Sequence, residues 1–454
     1  MHQSRLNTLV KVGANEYLLF NQVTGNLALV DREVVDVLET PDNEGDPVSF
    51  LLKEKGFLIE DDLVEDADYL CSVLKEKEES IMRHIIVVTY QCNLRCSYCY
   101  QDDVLSTHPP GWETRVLTRQ LVDDLYDAIL SAEDILSHTG SYIVLYGGEP
   151  FLFQNREIVE YILKRGKDLG YTFRAITNGT QVEAFVEMFR EYDVRSLSIT
   201  LDGPKDIHNS RRCKANGEGT FDDIITNIEI LLKNDIHTRI RTNIDEQNLE
   251  YIPQLLRFFE ERGWTDNPYI DLLFAFTRQR YQREVQTIPQ SYSEFLALLE
   301  RLDVGKDPRY RDVILDLLSG TTLAKAVLGK VQPSGLTYWQ CPAIGHDLAY
   351  DPYGNIYVCQ QVLGDEVHSV GRYSPTFELT KSFELWQDRT ILNMPQCLKC
   401  EYALLCGGGC PISAFNTTGT MMRPSQSQCK NVETYVHEVI PQLYRMVKRG
   451  VFHE

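Results

Sequence analysis

The 454-residue sequence predicts an α/β protein in three parts. The centre is a run of six βα units, forming a partial barrel or an open parallel sheet. A small winged-helix-like unit precedes it, and a cysteine-rich unit follows. Three observations carry this reading. Strand-like segments alternate with helical periodicity from residue 84 to residue 276, which implies a parallel sheet. Of the twelve cysteines, all but Cys71 and Cys213 fall into two groups with short spacings, the pattern of metal ligation in a chain without export signals. Residues 1–80 read as strands followed by helices with short connections.

Within residues 1–80, Glu16–Phe20 is an expected strand, Thr24-Gly25-Asn26 a turn and Leu27–Val30 the returning strand. Asp31 can cap a helix carrying Val34, Val35 and Leu38. Asp46-Pro47 opens a second helix that Gly56 stops. A short strand at Phe57–Ile59 and a charged helix over 63–79 complete the unit.

The core strands are expected at His84–Tyr90, Tyr142–Tyr146, Thr172–Thr177, Arg195–Leu201, Ile236–Thr242 and Tyr269–Phe276. Leu117, Leu121, Leu125 and Ile129 repeat at i+4 and mark one intervening helix. Six units are too few to close an eight-stranded barrel, and either arrangement places the chemistry at the carboxyl ends of the strands. Beyond residue 335, apolar periodicity gives way to cysteines and glycines, a composition that needs metal staples. Residues 431–448 read as a terminal helix. The expected domains are 1–80, a core over 81–310, a bridging segment over 311–335 and the cysteine-rich domain over 336–454.

Acidic residues outnumber basic ones, 66 to 45, for a net charge of −21. That argues against nucleic acid as a partner, since phosphate binding needs a positive field. The amino terminus has no apolar signal segment, and no apolar run approaches the ~20 residues of a membrane span. A cytoplasmic protein is expected.

The first cysteine group, Cys92-x3-Cys96-x2-Cys99, follows the first core strand. A structural zinc would want a fourth ligand, and the nearest is His108 across a loop. A [4Fe–4S] cluster held by three cysteines would instead leave one iron open. With Tyr98 before the last cysteine, this motif resembles the signature of the radical S-adenosylmethionine (SAM) superfamily. In that family the open iron chelates SAM, whose cleavage gives a 5′-deoxyadenosyl radical. Supporting segments end successive strands: Gly147-Gly148-Glu149-Pro150, Thr177-Asn178-Gly179, Leu201-Asp202-Gly203 and Arg241-Thr242-Asn243. The resemblance implies SAM contacts from Tyr98, Gly147, Gly148, Glu149, Thr177, Asn178, Asp202, Arg241 and Asn243. Glycines let backbone approach a ligand, and a carboxylate suits the SAM ammonium. It also implies a partial (βα)6 radical SAM barrel and an external one-electron donor of flavodoxin or ferredoxin type.

The second group is Cys341, Cys359, Cys397, Cys400, Cys406, Cys410 and Cys429. Its spacing resembles the SPASM domain, which carries two auxiliary [4Fe–4S] clusters; zinc-ribbon sites are the alternative on spacing alone. The resemblance implies three clusters in all. It assigns Cys397, Cys400, Cys406 and Cys429 to the outer auxiliary cluster, and Cys341, Cys359 and Cys410 to the inner one. Two fully cysteine-ligated clusters need eight thiolates, and this region has seven. Asp347, His346, water or the substrate could complete the set. Radical SAM sulfatase maturases carry a basic aspartate directly after the cysteine matching Cys359. Here that residue is Gln360, which cannot take a proton at neutral pH.

Residues Tyr17–Asp31 and the helices after them resemble the peptide-recognition domain of enzymes that modify ribosomally made peptides. There a leader peptide adds a strand to an exposed sheet edge; a structural cap on the core is the alternative. Together the parts imply an oxidative maturase that crosslinks a precursor peptide, held by its leader, through a thioether bond. Carbon–carbon (cyclophane-type) crosslinking and sulfatase-type maturation are the enzymatic alternatives. A zinc-stapled peptide-binding protein is the alternative without catalysis. No side chain stands out as the catalytic base.

Overall fold

A computed structural model describes residues 1–41, 46–60, 81–136, 141–277, 293–294, 296–298, 300–301, 322–329, 341 and 347–450. The expected helix over 63–79, Cys71, His346 and most of the 311–335 segment lie outside the described residues. The chain divides into two compact units. One joins Ser80–Tyr281 with Pro342–Gln387; the other joins Met1–Glu79, Gln282–Cys341 and Asp388–Glu454.

The first unit is built on the six expected strands. They run Met82–Val87, Ser141–Tyr146, Thr172–Thr177, Val194–Thr200, His237–Ile244 and Ile270–Phe276. Each pairs in parallel with the next in sequence, the order of a partial (βα)6 barrel. The first strand is buried through Ile85, Ile86 and Val87 without alternation, as a strand covered on both faces requires. The helix Arg119–Leu136 buries Val122, Leu125, Tyr126 and Ile129. Leu117 is buried just ahead of that helix rather than within it.

The sheet does not stop at the expected core. Asp347–Tyr350 pairs in parallel with the first strand, with Asp347 opposite Arg83. Three short antiparallel strands, Asn355–Tyr357, Gly371–Arg372 and Glu378–Leu379, continue from it. The start of the cysteine-rich region is therefore part of the core sheet, where it covers the open edge of the first strand.

In the second unit, Asn7–Lys11, Tyr17–Asn21 and Leu27–Val30 form an antiparallel sheet. The helices are Arg32–Glu39, capped by Asp31 on Val34 N, and Pro47–Glu54, capped by Asp46 on Val48 N and Ser49 N. Leu19, Leu38, Leu52, Phe57 and Leu58 are its core. Leu6 packs separately against Ile391, Met394, Cys397, Ala403 and Leu404, and Gln22 Oε1 accepts from Leu404 N at 3.1 Å. Gln426 to Lys448 is one helical run with a π-turn at Tyr435–Val439, just ahead of Pro441. Among the described residues, no helix is long and apolar enough to cross a membrane.

Candidate active site

The first cysteine group sits on a loop pinned from two sides. The short strand Leu94–Cys96 pairs with Arg212–Lys214, placing Arg212 opposite Cys96. Ser97 N donates to Arg211 O at 3.0 Å, and Cys99 N to Cys96 O at 3.1 Å. Asn178 Nδ2 donates to Asn93 Oδ1 at 2.8 Å and lies 3.7 Å from Cys92 Sγ. Burial pushes the Cys92 thiol up to about 12, with Glu149, Cys96 and Cys99 adding to it. Burial also pushes Cys99 up to about 11 and raises Cys96. Without metal these thiols are neutral, the opposite of an activated nucleophile. Three partly buried thiols in one another's field fit a three-cysteine cluster.

Behind them lies the Gly147-Gly148-Glu149 turn. A Cβ on Gly147, whose φ is +145°, would stand 2.2 Å from Thr89 O. A Cβ on Gly148 would stand 2.2 Å from Tyr90 O and 2.4 Å from Gln91 O. Gly148 N donates to Thr89 O at 2.8 Å and Glu149 N to Gln91 O at 2.9 Å. The close approach that demands glycine is thus to the chain's own backbone, one residue short of Cys92. Glu149 is buried, and its carboxylate already accepts from Phe151 N at 3.0 Å, Thr177 Oγ1 at 2.6 Å and Asn178 N at 2.6 Å. It ties the second and third strand ends together. Burial raises its pKa, and these three bonds oppose the rise.

The fourth and fifth strand ends meet at Tyr98. Its hydroxyl donates to Asp202 Oδ2 and accepts from Arg212 Nη1 at 2.7 Å and Asn243 Nδ2 at 3.2 Å. Asp202 Oδ1 accepts from Asn243 N at 2.9 Å, and Arg241 Nε donates to Asn243 Oδ1 at 2.8 Å. Arg211 bonds Asp245 Oδ1 at 2.6 Å and lies 4.9 Å from the Tyr98 ring centre. Arg211, Arg212 and Asp245 were not legible as site residues, because no motif spacing links them to the cysteines.

Two tyrosines complete the surroundings of Cys99. Tyr100 and Tyr146 share a 2.7 Å hydroxyl contact, and Gln101 Nε2 donates to Gly147 O at 3.1 Å. Burial pushes Tyr146 up to about 12; the bond to Tyr100 opposes this, while Cys99 and Cys359 add to it. Gln360, directly after Cys359, has a buried Nε2 with no partner among the described residues. His108 is engaged elsewhere: its ring stacks on Trp112 at 3.8 Å, and Nε2 lies 2.8 Å from Gly364 O. Cys213 Sγ donates to Arg95 O at 3.6 Å.

In the second cysteine group, burial pushes Cys397 up to about 11 and Cys406 up to about 12. Cys429 and Cys400 raise both further, and Cys406 also feels Cys397. These four thiols share one neighbourhood, the set expected for a single four-cysteine cluster. Among the described residues, no three His, Cys, Asp or Glu side chains close on one metal ion. A four-iron cluster distributes its thiolates over four metals and asks for a wider set. The Asp347 carboxylate is clasped by Arg83, through Nε at 2.9 Å and through Nη2.

Residues 86–259 match the radical SAM superfamily. That segment, 86–259, is a radical SAM domain. This superfamily uses SAM and a [4Fe–4S] cluster, and Cys92, Cys96 and Cys99 stand at the start of the matched segment. The chain is 25% identical over 339 residues to the cysteine-type anaerobic sulfatase-maturating enzyme of Clostridium novyi, covering 70% of this chain and 84% of that one. It is 19% identical over 479 residues to the radical SAM cyclopropyl synthase TigE of Paramaledivibacter caminithermalis, covering 96% and 95%. The crystal structure of Streptococcus suis SuiB bound to precursor peptide SuiA shares the fold. Its TM-score is 0.51 at 14% identity, covering 94% of this chain and 99% of that one.

Proposed function

We propose that this protein is a radical SAM/SPASM peptide maturase that oxidatively crosslinks a ribosomally made precursor through a thioether bond. Cys92, Cys96 and Cys99 would hold the SAM cluster, and the C-terminal cysteines two auxiliary [4Fe–4S] clusters. Bound there, the cluster and SAM would supply a 5′-deoxyadenosyl radical that takes a hydrogen atom from a peptide carbon. The protein's own residues hold the strand ends together around that point. Glu149 joins the second to the third, and Tyr98 joins the cysteine loop to the fourth and fifth.

The observation that carries the thioether reading is the ligand count. Seven C-terminal cysteines serve two clusters that need eight thiolates. Asp347, the carboxylate that could close the set, is paired with Arg83, which supports leaving that place to another ligand. A substrate cysteine is chemically suited to the open place, since thiolate binds iron and loses its proton on doing so. Held there, the sulfur would lie near the carbon radical. The peptide would then lose one hydrogen atom from carbon, one proton from sulfur and one electron. Gln360 offers no base, but its unpartnered buried amide is a donor for a peptide carbonyl.

Leader binding fits the strand Leu27–Val30. It pairs with Tyr17–Asn21 on one side, and Leu29 is 52% exposed. The likeness to TigE along nearly the whole chain favours a second reading, carbon–carbon bond formation. Mass spectrometry of the reacted peptide after thiol alkylation separates the two. A thioether predicts loss of two hydrogens and one fewer alkylatable cysteine per crosslink. Loss of two hydrogens with every cysteine still alkylatable rejects it.

A further inference from the structure

Arg389 is fully buried in the compact unit that contains most of the C-terminal cysteines. Its guanidinium donates to three backbone carbonyls: Nε to Met421 O at 2.7 Å, Nη1 to Gly409 O at 2.9 Å and Nη2 to Gly408 O at 2.8 Å. Gly408 and Gly409 lie in the three-residue loop that links Cys406 to Cys410. The fork therefore grips the backbone between two expected cluster ligands. Among the described residues no carboxylate pairs with it. Three neutral carbonyls satisfy its hydrogen bonds and leave its charge uncompensated. A buried cation without a counter-charge costs several kcal/mol, and folded proteins pair such groups. The neighbours at hand are cysteine thiols, which carry negative charge only once they ligate metal as thiolates. Burial pushes the guanidinium's pKa down, against the fields of Cys410, Cys397, Cys341 and Cys406.

We propose that Arg389 is the shared counter-charge of the C-terminal cluster ligands and holds up the reduction potentials of both auxiliary clusters. The inference rests on the cluster reading given above. Thiolate-ligated clusters become more negative with each added electron, so a fixed nearby cation favours the reduced form. Cys397 and Cys406 belong to the expected outer set, and Cys341 and Cys410 to the inner one. One guanidinium therefore acts on both. Raised potentials would make these clusters better acceptors of the electron that an oxidative crosslink leaves behind.

The test is an anaerobic redox titration followed by electron paramagnetic resonance. It uses the full chain with Cys92, Cys96 and Cys99 changed to Ala, so that only C-terminal clusters remain. Arg389→Met should lower both potentials, each by at least a tenfold change in the one-electron reduction equilibrium, about 59 mV. Arg389→Lys keeps the charge and loses the planar fork, and should move them by less than half as much. Unmoved potentials in an iron-replete Arg389→Met protein overturn the proposal, as does a Lys variant displaced as far as the Met variant. If Arg389→Met assembles no clusters, Arg389→Lys decides. Clusters kept near the parent potentials support the charge, and clusters lost overturn it. A parent protein without iron would overturn the cluster reading itself, and this proposal with it.

Discussion

Replacing Gly148 by alanine puts a methyl group 2.2 Å from Tyr90 O and 2.4 Å from Gln91 O. Both obstacles are backbone, so no side chain can swing aside. Real Cβ contacts stop near 3.0 Å, which forces the two strand-end loops apart by roughly 0.8 Å. The movement stretches the bonds from Gly148 N to Thr89 O and from Glu149 N to Gln91 O. Each is worth about 1 kcal/mol. More important for function, Cys92 directly follows the displaced Gln91, and Glu149 carries the link to Thr177 and Asn178. A misplacement near 1 Å can cost about a hundredfold in rate. Gly148→Ala should therefore cut reductive SAM cleavage about a hundredfold. The assay is 5′-deoxyadenosine formation by anaerobically purified protein, with iron counted on the same sample. A rate within about threefold of wild type, less than 1 kcal/mol of lost transition-state stabilisation, would refute the reasoning.

Asp347→Ala should lower stability by about 3 kcal/mol, because it strands the partly buried Arg83 cation; thermal melts of the metal-free protein read this. Iron per chain should stay at the wild-type value, and a loss of iron would restore Asp347 as a ligand. Leu29→Lys puts a charge on the exposed edge strand and should weaken leader-peptide binding about tenfold, or 1.4 kcal/mol. Calorimetric titration with the leader checks this, and unchanged affinity would move the leader site elsewhere.

The parts of the structure that local chemistry dictates were legible in the sequence. The six core strands are dense apolar runs bounded by turn residues. Asp31 and Asp46 cap the helices they were expected to cap. Non-local pairing was not legible. The strand Asp347–Tyr350 has only four residues, and its partner Arg83 is 264 residues away. Nothing in its own pattern announces that it extends the core sheet past the expected boundary at 336. Asn7–Lys11 was missed because Asn7 and Lys11 flank only three central residues. Glycine at 147 and 148 was anticipated, but for approach to a ligand; the need comes from Thr89, Tyr90 and Gln91. Arg212 and Arg389 carry no spacing signal, and their roles emerge only from what surrounds them once buried.

The central claim is that the first cysteine group holds the SAM-cleaving cluster. It is tested most directly by measuring 5′-deoxyadenosine from SAM under a strong reductant, in wild type and in the variant with Cys92, Cys96 and Cys99 changed to Ala. The account predicts product from wild type and none from the variant, while the variant keeps the iron bound by its C-terminal cysteines. Product persisting in the variant, or no product from an iron-replete wild type, would contradict it.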